Sequence, residues 1–96
     1  MMLHILTSTD NLQSLHNKEL PVNNENDVII FTQDSVYAAI KDHKDHSLIL
    51  SFKHCYFLQE DIEARGVTKL IDDKIQRVNY SAFVSLTQDH FPIVTW

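Results

Sequence analysis

Apolar residues fall along this chain in short blocks separated by polar stretches, and the blocks alternate in kind. Leu3–Thr7 is a brief apolar run and predicts a first strand. Ser8, Thr9 and Asp10 supply helix-capping side chains, and Leu12 and Leu15 stand three apart, which predicts a helix over 11–18 stopped by Pro21. Val28-Ile29-Ile30-Phe31 is apolar at every position, the pattern of a central parallel strand covered on both faces. Val36, Ala39 and Ile40 then recur at helical spacing and predict a second helix over 35–41, followed by a solvated turn at 42–45.

The next block is less regular. Leu48-Ile49-Leu50 leaves 47–52 open between a strand and a helical turn, whereas His54–Leu58 reads as a strand. A helix over 60–65 is acidic at its start and basic at its end, which complements its dipole, and Gly66 sits where a left-handed glycine would close it. Val67–Asp73 fits neither period. Lys74–Val78 predicts a last short strand, and Asn79 and Ser81 can cap a helix over 80–87 with Phe83, Val84 and Leu86 on its apolar face.

Strand and helix thus alternate four times. That order implies an α/β fold: a mostly parallel sheet of four to five strands, flanked by helices in three layers and joined by right-handed crossovers. The chain of 96 residues suits one domain spanning 1–96. Ligand crevices of such folds lie beyond the carboxyl ends of the strands, here Thr7–Asp10, Thr32–Ser35 and Gln59–Asp61. A monomer of this size buries only roughly 60–65% of the surface that its unfolded chain exposes, so an oligomer is expected.

Composition narrows the chemistry. Eight Lys and Arg stand against 13 Asp and Glu, a formal charge of −5, which argues against a broad charge-driven grip on nucleic acid. The single glycine excludes dinucleotide-binding fingerprints, Walker A loops and nucleophile elbows, all of which need several. No apolar run approaches the ~20 residues of a membrane span. The start Met1–Leu6 lacks the basic and long apolar regions of a signal peptide, and one cysteine forms no internal disulfide, so the cytoplasm is the expected compartment.

Several residues invite a chemical reading, and each has a plainer one. Cys55 lies inside an apolar strand rather than at a helix N-terminus or beside a cation, so it reads as core; His54 points to the opposite face. The alternative makes Cys55 a persulfide carrier. His43 and His46 have metal-ligand spacing but lack a third ligand, and they read as a solvated turn. Gln33 and Asp34 follow the buried strand, where Asp34 caps the next helix, pairs with Arg65, or serves with the Gln59 turn as a small-ligand site. Glu60, Asp61 and Glu63 read as dipole complements. The closing segment, with Phe91, Ile93, Val94 and Trp96, folds back on the core or joins a subunit interface. No cofactor or metal is expected.

Four blocks carry a family resemblance. Met2-Leu3-His4-Ile5-Leu6 resembles the opening of TusB/DsrH proteins, as does Gln33-Asp34-Ser35-Val36-Tyr37-Ala38-Ala39 the turn after their second strand. Tyr56–Gly66, ending in Ala-Arg-Gly, is similar to their strand–helix block, and Asn79–Thr87 with His90 and Trp96 to their closing segment. The blocks span nearly the whole chain in the family's order. The resemblance implies a DsrE-like fold and a place beside TusC- and TusD-like subunits in a complex that relays persulfide sulfur toward 2-thiouridine at the tRNA wobble position. It also implies that the sulfur-bearing cysteine belongs to the TusD-like partner, leaving this chain without catalytic activity of its own. Some sulfur-oxidising DsrH members carry an early cysteine after the first helix; positions 17–26 here have none.

Overall fold

The computed structural model describes residues 2–10, 12–17, 22–23, 26–90 and 92–96. Among them are strands β1 Leu3–Leu6, β2 Val28–Phe31, β3 Cys55–Leu58, β4 Arg77–Val78 and β5 Ile93–Thr95. Between them run helices α1 Leu12–His16, α2 His46–Ile49, α3 Gln59–Ala64 and α4 Tyr80–Asp89, with 3-10 segments at Gln33–Ala39 and Thr68–Leu70.

All the strands are parallel, in the order β4-β3-β2-β1-β5. The chain steps outward from β1 to β4 in one direction. Every connection on that path therefore falls on one face of the sheet if the crossovers keep the usual hand. The step from β4 to β5 reverses direction and sends α4 to the other face. The packing follows this division. Leu12 and Leu15 of α1, Val36, Ala38 and Ala39, Ile49 of α2 and Ile62 of α3 cover Leu6, Ile29, Phe31 and Phe57 on one face. Phe31 stacks on Phe57 at 4.4 Å between ring centres. On the opposite face Leu3, Val28 and Ile30 meet half-buried Ile5, Tyr56 and the α4 residues Phe83 and Leu86.

The uniformly apolar β2 is central and buried at every position, as its pattern predicts. Gly66 has φ +67° and closes the turn after α3, its N–H bonded to the Glu63 carbonyl. Asn79 accepts from the Ala82 N–H at 2.8 Å and so caps α4.

Four stretches differ from expectation. The segment predicted as a helix over 35–41 is a 3-10 helix beginning at Gln33. At three residues per turn, Ser35 aligns with Ala38 and Val36 with Ala39. All four are buried, and the small side chains let the segment lie close to the sheet. The open stretch 47–52 begins helical, in α2, and ends in a turn. The strand predicted over 74–78 is only Arg77–Val78, because Asp72 accepts from the Lys74 N–H and folds 72–75 into a turn. The closing segment contributes a fifth strand against β1. Phe91 and the expected ends of the first helix, 11 and 18, lie outside the described residues.

Candidate functional site

The carboxyl ends of β1, β2 and β3 carry a polar cluster built from the turn after β2 and from α3. Thr32, leaving β2, donates its hydroxyl to the Leu6 carbonyl at 2.9 Å, and Ser35 donates to the same carbonyl at 2.9 Å. Both are buried, so the turn is pinned to the end of β1. Gln33 is then forced to φ +51°, the left-handed region that side chains other than glycine disfavour. Its N–H donates to Asp61 Oδ2 at 2.6 Å. Asp34 turns outward, and its Oδ1 accepts from Arg65 Nε and Nη2, each at 3.0 Å.

Gln33, Asp34, Asp61 and Arg65 therefore meet at one edge, although Gln33 and Asp61 stand 28 positions apart. Asp34 is 69% exposed, so its pair with Arg65 contributes at most about 1 kcal/mol. Asp61 and Glu60 do more than complement a dipole, since Glu60 Oε2 accepts from the Tyr80 N–H that opens α4. The arrangement ties α3 to its neighbours. Among the described residues, no three His, Cys, Asp or Glu side chains gather as a metal ion would require.

Cys55 starts β3 with its side chain half-buried against the larger core cluster. Its Sγ lies 3.9 Å from the carbonyls of Ile49 and Phe52. Burial pushes the thiol up to about 11. At neutral pH the group is a thiol and not the thiolate that attacks or carries sulfur.

The histidines depart most from the sequence reading. His46 is buried rather than solvated. Its Nδ1 lies 2.9 Å from the Ala38 carbonyl and its Nε2 2.9 Å from Asp72 Oδ2. The ring is thus held between the backbone of the 3-10 segment and the turn at Asp72. Hydrogen bonds from the Lys74 N–H and from His46 hold the Asp72 carboxyl below the usual carboxylate range. His43 remains half-exposed, its Nδ1 accepting from the Asp45 N–H.

A second polar group escapes sequence reasoning altogether. His4, at full burial inside β1, bonds through Nε2 to Asp27 Oδ2 at 2.9 Å. Trp96 Nε1–H donates to His4 Nδ1 at 3.1 Å. Burial works to raise the Asp27 carboxyl, but N–H donors from Asn23 and Met2 and the His4 ring outweigh it and hold the group low. The available signal was a histidine standing in an apolar strand, at a position facing the same side as Leu6.

The parallel order, the central buried strand and the pinned polar turns define a small α/β fold of the DsrE-like kind. A family model described as "DsrH like protein" matches residues 8–92, and the chain belongs to that family. Protein TusB of Photorhabdus laumondii subsp. laumondii is 41% identical over 71 residues, which cover 73% of this chain and 75% of that protein. Protein TusB of Pectobacterium parmentieri is 34% identical over 96 residues, covering 99% of this chain and 100% of that protein. Protein TusB of Buchnera aphidicola subsp. Acyrthosiphon pisum is 38% identical over 73 residues, 75% of this chain and 77% of that protein. Among the described residues, no helix is long and apolar enough to cross a membrane.

Proposed function

We propose that this chain is a non-catalytic subunit of a cytoplasmic sulfur-relay complex that serves 2-thiolation of the tRNA wobble uridine. It acts as one domain and binds TusC- and TusD-like subunits, which carry the transfer chemistry. Family membership is the observation that carries the proposal, since relatives named TusB match most of the chain. The state of Cys55 supports it further: a half-buried thiol pushed up to about 11 is poorly placed to receive sulfur. The second sheet face supports the subunit role. Among the described residues its cover is α4, which buries none of its residues fully and carries a single charged side chain, Asp89.

Co-expression with TusC- and TusD-like chains, followed by native mass spectrometry, tests the reading. A stable hetero-oligomer is expected, and a chain that stays alone at micromolar concentration overturns it. Wobble-uridine thiolation in cells carrying Cys55→Ser tests the non-catalytic role. Retained thiolation is expected, and its loss with the complex still assembled would restore Cys55 as a persulfide carrier.

A further inference from the structure

His4 sits between two partners that ask different things of it. The Trp96 indole N–H is a donor only, so the His4 Nδ1 that receives it at 3.1 Å must present a lone pair. The ring's one proton then lies on Nε2, directed at Asp27 Oδ2 at 2.9 Å. The two ring planes are nearly parallel, 13° apart, with their centres 6.2 Å from each other. Asp27 accepts from His4 whether the imidazole is neutral or charged. Trp96 can donate only to the neutral ring.

We propose that His4 is a proton-operated latch on β5. A proton taken up at Nδ1 turns that nitrogen into a donor facing another donor, which breaks the bond to Trp96. Asp27 keeps hold of the ring, so the effect falls on β5 alone. Besides the ladder with β1, the Leu3 N–H donates to the Pro92 carbonyl at 3.0 Å, the Thr7 N–H donates to the Trp96 carbonyl at 3.3 Å, and little else holds this strand. It has three residues, pairs on one side with β1, and leaves Ile93 41% exposed. Beyond Thr95, the Trp96 N–H donates to the Ile5 carbonyl at 2.8 Å, and Thr7 donates its hydroxyl to the Trp96 carbonyl at 3.0 Å. Release would bare the β1 edge, a row of backbone groups able to pair with another strand.

Among the described residues, the ionisable surroundings are sparse. Asp27 arrives from the turn before β2. The β2 residues Val28–Phe31, the β5 residues Ile93–Thr95 and the described α1 side chains Leu12, Gln13, Ser14 and Leu15 contain no ionisable group. Of the two groups that bond the ring, the indole N–H is incompatible with a proton at Nδ1 and the Asp27 carboxylate is compatible with it. Of these two contacts, only the one to the indole is lost when β5 opens. Acid consequently favours the open strand.

The test is amide hydrogen exchange on the intact chain, with His4 ring nitrogens followed by ¹⁵N NMR, between about pH 7.5 and 5.5. Protection factors remove the intrinsic pH dependence of exchange. Near pH 7.5 the ring should be the neutral Nε2–H form. As it titrates, protection at the Trp96 and Thr7 amides should fall roughly five- to tenfold, the worth of one hydrogen bond. Ile30 in β2 should keep its protection. His4→Gln, which offers one donor and one acceptor at any pH, should flatten the response. The latch is overturned by a ring doubly protonated at pH 7.5, by a ring that stays neutral down to pH 5.5, or by unchanged protection at Trp96 and Thr7 while His4 titrates. Should His4→Gln fail to fold, the ring spectra and exchange of the unaltered chain decide the matter.

Discussion

Asp27 shows how much one buried side chain can organise. Its carboxylate accepts the Met2 and Asn23 N–H groups, each at 3.0 Å, together with the His4 ring. Asp27→Ala takes the acceptor from all three donors, of which the His4 ring is fully buried, and the expected cost is about 1–3 kcal/mol. Urea unfolding checks it: the midpoint should fall without a change in slope. Cys55 gives a prediction of the opposite kind. A thiol held near 11 should react with iodoacetamide at pH 7 roughly a hundredfold slower than an unstructured cysteine. Denaturation should restore the ordinary rate, whereas rapid labelling of the folded chain would contradict the burial. Residues of this kind divide into those a sequence reveals and those it hides. The apolar neighbours of Cys55 advertise its strand. The bond from His4 to Asp27 crosses 23 positions and no local pattern marks it. Nor could local pattern tell that His46 lies buried, since its cover comes from Ala38 and from Asp72, 26 positions away.

At the scale of elements, legibility follows from how local the cause is. Turn and cap chemistry depends on a few adjacent residues, so Gly66 and Asn79 could be placed from the chain alone. Each supports a prediction. A Cβ at Gly66 would meet nothing within 4 Å, so Gly66→Ala suffers only from the backbone at φ +67°. About 1–2 kcal/mol is expected, and a thermal midpoint lower by several degrees should record it. Asn79→Ala removes the acceptor of the Ala82 N–H and should cost about 1 kcal/mol, read in the same way. Where neighbours in space decide, the sequence misleads. The 3-10 geometry of Gln33–Ala39 answers to the nearness of the sheet beneath Ser35 and Ala38, and the shortening of β4 answers to the Asp72 turn.

At the scale of the molecule, alternation of strand and helix was enough to reach a parallel α/β sheet, because parallel pairing demands crossovers and crossovers demand helices. The place of β5 was not legible: Ile93–Thr95 is short, exposed on the edge, and held through Trp96 by a histidine at the other end of the chain. The same web of carboxylates makes the whole fold acid-sensitive. Asp27 and Asp72 are both held below the usual carboxylate range by the N–H groups that they accept. A carboxyl depressed in the folded state adds stability that is fully present above its unfolded value, near ~3.9, and is lost as pH falls through its folded value. Stability should therefore decline below about pH 4, with Asp27 carrying part of the loss. Urea midpoints of the unaltered chain and of Asp27→Asn, measured from about pH 6 down to pH 2, separate that part. The variant should be the weaker protein at pH 6, and the gap should close as Asp27 takes up its proton. A gap that stays constant through this range would mean that Asp27 stabilises by packing and not by its charge.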